Sequence, residues 1–124
     1  MEIYDEVFEK AKLLWRGELS LKEEAVLREM SAAACLELLG RLKEGVSASE
    51  IREQLVRAAA SLAVSMFIEL DVGGLDSYSA GGLSVKRRDI KFSQEAARSL
   101  RKQAELMLIG YLRERGFDFK AVRG

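Results

Sequence analysis

Apolar positions fall along this chain in blocks whose spacing is that of a helix. In the first block Ile3, Val7, Ala11 and Leu14 share one face, which predicts a helix from about Tyr4 to Arg16 with Gly17 as its stop. The second starts at Ser20, whose hydroxyl can cap the free amides while Glu23 reaches back. It is predicted to run to about Lys43, with Gly45 supplying a left-handed stop. Ser47 and Glu50 repeat the capping box, and Ile51, Leu55, Ala58, Leu62 and Met66 then keep a 3.6-residue period to about Leu70. Only Glu44, Gly45 and Val46 separate the second helix from the third cap, so the two are expected to pair as an antiparallel hairpin. Ala32, Ala33 and Ala34 against Ala58, Ala59, Ala60 and Ala63 would let their axes approach closely.

The rhythm then changes. Residues 71–82 hold four glycines and are expected to break the helix. Leu83 to Arg87 alternates as a short strand does. Ser93 is placed to cap a last helix running to about Arg115, with Ala96, Leu100, Ala104, Met107, Leu108 and Tyr111 as its apolar stripe. The chain has no proline, and Phe117 to Gly124 reads as an extended arm. The expected fold is all-α: a single domain of about four helices around a central antiparallel hairpin, with a short β-strand or hairpin inserted between helices three and four.

Composition narrows the function. With 124 residues, 48% hydrophobic and 32% charged, the chain has the size and make-up of one folded domain. Twenty basic residues offset twenty acidic ones, so any contact with nucleic acid must rest on a local patch. The most apolar run, Ala58 to Ile68, is shorter than the ~20 residues a membrane span needs, and the acidic start at Met1 to Glu6 lacks a signal-peptide pattern. A cytoplasmic protein with no membrane association is expected.

The chemistry of the usual catalytic sites is not visible. There is no histidine, which removes Ser–His and Cys–His catalysis and the common zinc and transition-metal sets. The lone Cys35, inside Ala32 to Leu36, reads as a buried core thiol. Carboxylate pairs such as Glu23 with Glu24 point to different helix faces. Gly73-Gly74 and Gly81-Gly82 match no phosphate-binding fingerprint. No enzyme activity, metal or cofactor is expected.

Two features remain as candidate interaction sites. Lys86, Arg87, Arg88 and nearby Lys91 form a basic patch, either a solvated strand edge or a contact for a nucleic-acid backbone or an acidic protein surface. Phe117, Phe119 and Val122, with Arg123, lie beyond the last helix; they either fold onto the domain's own core or dock on another subunit.

The order of helical hairpin, then Ser77 to Val85, then Leu100 to Met107, then Gly110-Tyr111-Leu112 and the Phe119 to Gly124 ending resembles small prophage-encoded proteins of the head-to-tail connector region of tailed bacteriophages. The likeness covers about Leu27 to the end. It implies a structural subunit of virion assembly that forms homo-oligomeric rings and meets other neck proteins, with an arm reaching its neighbour and non-specific DNA contact in the assembled particle. Virion localisation follows from the same likeness. The reading from another class is a small nucleic-acid-binding or regulatory protein using Lys86 to Arg88; a helical adaptor unrelated to phage is a third.

Overall fold

The computed structural model describes residues 2–15, 17–77 and 83–113, with side chains described outside 71–93. Its elements are α1 (Ile3–Trp15), α2 (Leu21–Gly40), α3 (Arg52–Ser77) and α4 (Leu83–Met107). The all-α bundle follows the periodicity of the sequence. α2 begins where its cap predicts: Glu23 N–H donates to Ser20 Oγ at 3.1 Å, and Ser20 N–H donates to Glu23 Oε1 at 2.9 Å. The box expected at Ser47 and Glu50 forms only in half: Ser47 N–H donates to Glu50 Oε1 at 3.2 Å, but Ser47 Oγ accepts from Ser49 N–H at 3.3 Å, while Glu50 N–H donates to the Ser47 carbonyl. One tight turn follows before α3 starts at Arg52. Gly45 takes the left-handed conformation (φ +87°) expected of it, within the 41–51 connection rather than at the helix end.

α3 is the axis of the molecule and packs against each of the other three helices. Every side chain from Ala58 to Ser65 is buried, because helices cover α3 on several sides at once. Ser61 and Ser65 sit in that run without orphaning a hydroxyl. Their Oγ atoms donate to the α4 carbonyls of Leu100 (3.1 Å) and Ala97 (2.7 Å). The descending numbers on α4 show that it runs antiparallel to α3. Arg101 to Glu37 and Arg41 to Glu105 keep α2 and α4 in the same sense, so α2 and α3 are antiparallel, as the hairpin expectation requires. Glu6 with Arg52 and the edge-on contact of Trp15 with Phe67 (5.0 Å) place α1 alongside α3 in the same direction. Of the alanines assigned to the hairpin seam, Ala34, Ala58, Ala59, Ala60 and Ala63 are buried, whereas Ala32 and Ala33 are half-buried.

The link between α3 and α4 differs from expectation. α3 passes through Gly73-Gly74 to Ser77, and α4 already contains Leu83 to Arg87, where a strand was predicted. Among the described residues the only β pairing is an isolated bridge, Leu42 with Leu112. Ile68, Val72 and Leu75 continue the apolar period across the glycines, and lengthening an existing helix is far easier than nucleating one. A glycine costs such a helix only about 1 kcal/mol against alanine. A lone strand, by contrast, leaves its backbone groups unpaired, while a helix satisfies its own. Ser93 is therefore inside α4 and not a cap, and α4 ends at Met107, well before Arg115. No helix among the described residues is long and apolar enough to cross a membrane.

Candidate functional site

Buried chemistry is sparse. Cys35 is fully buried in the core, as its sequence setting predicts, and burial pushes its thiol above the ordinary value, with the charge of Arg52 opposing. A thiol held protonated in an apolar wall packs as a small hydrophobe. Ser31 Oγ donates to Leu27 O one turn earlier. Among the described residues no three His, Cys, Asp or Glu side chains gather as a metal set would require.

A concavity with a volume of about 410 Å³ lies between α1 and the start of α3. Glu6, Lys10, Arg52, Glu53, Val56 and Arg57 line it, and most of its charge is internally matched. Arg52 meets Glu6 at 2.9 Å and Arg57 meets Glu53 at 3.1 Å. The hydrogen bond from Arg52 holds the Glu6 carboxyl below its usual range against the opposing effect of burial. Sequence spacing could not reveal this groove, because its principal ion pair joins residues 46 positions apart.

A second junction ties the end of α4 to the end of α2. Lys43 N–H donates to Tyr111 O and Arg113 N–H donates to Arg41 O, both at 2.8 Å. The Arg41 guanidinium reaches Glu105 at 3.1 Å and the Arg113 carbonyl at 3.4 Å, and the Arg113 guanidinium donates to Gly40 O. These bonds hold the last described residues, Tyr111 to Arg113, against the end of α2. Phe117, Phe119, Val122 and Arg123 lie outside the described residues. Close to that junction in sequence are Leu106, Met107 and Ile109, which are 54%, 41% and 69% exposed. Met107 was expected in the buried stripe; at the last position of α4 it has little of its own helix to cover it. A second apolar group, Leu13, Leu14 and Leu21, is exposed near the α1–α2 corner.

The four basic candidates share one element. Lys86, Arg87, Arg88 and Lys91 belong to the first turns of α4, a helix with seven Lys or Arg against three Asp or Glu. In α1, α2 and α3 together the ratio is six to eleven. Overall neutrality thus conceals one cationic helix in an otherwise acidic bundle. The structure adds Arg98 and Lys102, both exposed, to the basic group that sequence reading confined to 86–91. Compared with family models, curated proteins and solved structures, the chain matches none.

Proposed function

We propose that this chain is a non-enzymatic subunit of a larger assembly, most closely of the head-to-tail connector kind in a tailed phage or prophage. The observation that carries the reading is the exposure of Leu106, Met107 and Ile109 close in sequence to the clasp between the ends of α2 and α4. Large exposed apolar side chains close together in sequence at one end of a well-packed bundle suit burial against another subunit better than permanent hydration. Self-association through unlike surfaces would generate a ring when the rotation closes. The resemblance supplies the particular assembly. Phe117, Phe119 and Val122 are the residues proposed to extend the contact onto the neighbour.

Static light scattering over a wide concentration range tests the reading. The parent should associate, and Leu106→Ser with Ile109→Ser should dissociate it while leaving helicity unchanged. A parent that stays monomeric at all concentrations, with and without added virion components, would refute it. The rival reading, a regulatory nucleic-acid-binding protein, requires the isolated subunit to hold duplex DNA at physiological salt. The assembly reading expects little or no binding there, because twenty carboxylates offset the basic residues.

A further inference from the structure

We propose that the C-terminal end of α4 seats on the α1–α2 corner of a second copy of this chain, so that opposite ends of two bundles meet. The proposal rests on the assembly reading and names the surface that receives Leu106, Met107 and Ile109. That surface is an end of the core left open. Leu14 stands seven residues after Val7 and three after Ala11, on the stripe that α1 buries, yet it is 42% exposed. Leu70 follows Phe67, the ring partner of Trp15, by three residues, and about half of it is exposed. Leu21, the first residue of α2, is 87% exposed, more than any other large apolar side chain described. Leu13 adds a fourth exposed leucine in the last turn of α1. The end of α1, the start of α2 and the later part of α3 thus carry four exposed leucines at one end of the bundle.

The two apolar groups cannot cover each other within one chain. α2 starts at Leu21 and ends, roughly 30 Å of helix later, at Gly40, beside the clasp that holds Tyr111 and Arg113. α4 runs in the same sense as α2, so Leu106, Met107 and Ile109 belong to that far end. One apolar surface at each end leaves two modes of self-association: like end on like end, or one end on the other. Charge decides between them. Within four residues of Leu21 lie Glu18, Glu23 and Glu24, with Lys22 as the only cation. Within four residues of Leu106 to Ile109 lie Lys102 and Arg113, both exposed, while Glu105 is already matched by Arg41. Like ends would set an acidic rim on an acidic rim, or a basic rim on a basic one. Unlike ends bring Lys102 and Arg113 toward carboxylates, around an apolar centre supplied by both partners.

Sedimentation equilibrium of the full chain and three variants tests the contact. The corner variant carries Leu13→Ser with Leu21→Ser, and the end variant carries Leu106→Ser with Ile109→Ser. All four side chains are exposed, so both variants should melt like the parent in dilute solution. Each variant alone should lose self-association, its dissociation constant raised roughly tenfold or more. Mixed in equal amounts, the two should pair into a dimer that grows no further, because each supplies the surface that the other lacks. Lys102→Gln should weaken association of the otherwise unchanged chain by removing an attraction; between like basic ends it would remove a repulsion and strengthen it. A corner variant that associates as the parent does overturns the inference and leaves the assembly reading standing on another surface. A mixture that fails to pair, or stronger association by Lys102→Gln, also overturns it. A parent that stays monomeric at every concentration overturns both readings together.

Discussion

Ala59 and Ala33 were equivalent in the sequence, both alanines of a predicted seam, yet only Ala59 has lost all its exposure. Burial depends on what lies across from a residue, which periodicity alone does not supply. Ala59→Leu should therefore overpack α3 and cost about 1–3 kcal/mol, whereas Ala33→Leu should cost less than about 1 kcal/mol. Urea unfolding of both variants checks the difference; equal losses would place Ala33 in the seam after all. Glu6 offers a charge test. Its folded-state carboxyl is held below the unfolded value by Arg52, so the unfolded chain binds the extra proton as pH falls. Stability from the pair is present above the unfolded carboxylate pKa and is lost as pH drops through the folded one. Glu6→Gln should flatten the dependence of melting temperature on pH below about pH 5, and a parallel curve there would contradict the pairing.

At the level of elements, capping signals in the sequence located one helix start closely and misplaced another: α2 begins at the Ser20 box, whereas Ser93 lies inside α4. The Ser20 box has two reciprocal bonds within four residues, so local chemistry settles it. Ser20→Ala should cost about 0.5–2 kcal/mol in thermal or urea unfolding. Glycine misled because its preference is weak beside the apolar period running through it. α3 continues across Gly73-Gly74, and that makes a sharp prediction. Gly73→Ala or Gly74→Ala should stabilise the protein by about 0.5–1 kcal/mol, since an interior helical glycine carries extra chain entropy. Were the pair a turn, alanine would destabilise it instead. The predicted strand at Leu83 to Arg87 rested on five alternating residues with no partner; helical backbone there also changes what the basic patch is. On a strand, Lys86, Arg87 and Arg88 would alternate between faces. On a helix, Arg87 and Lys91 join Arg98 and Lys102, a grouping invisible until the register is known.

For the whole molecule, neutral charge and a helical core were legible from composition, but the segregation of charge onto α4 and the clasp at Arg41 and Arg113 were not. The clasp depends on contacts between distant parts of the chain, and the charge segregation on where α4 begins, ten residues ahead of the expected Ser93 cap. The central claim, that this bundle is a subunit built to meet copies of itself or neighbouring subunits through its C-terminal end, is tested most directly by removing Phe117 to Gly124. Light scattering and thermal melting of the full and shortened chains should be measured side by side at matched concentrations. The account predicts that the shortened chain loses self-association while its melting temperature, measured where both are dilute, changes little. An unchanged oligomer together with a large fall in melting temperature would show that these residues complete the protein's own core, and would contradict the claim.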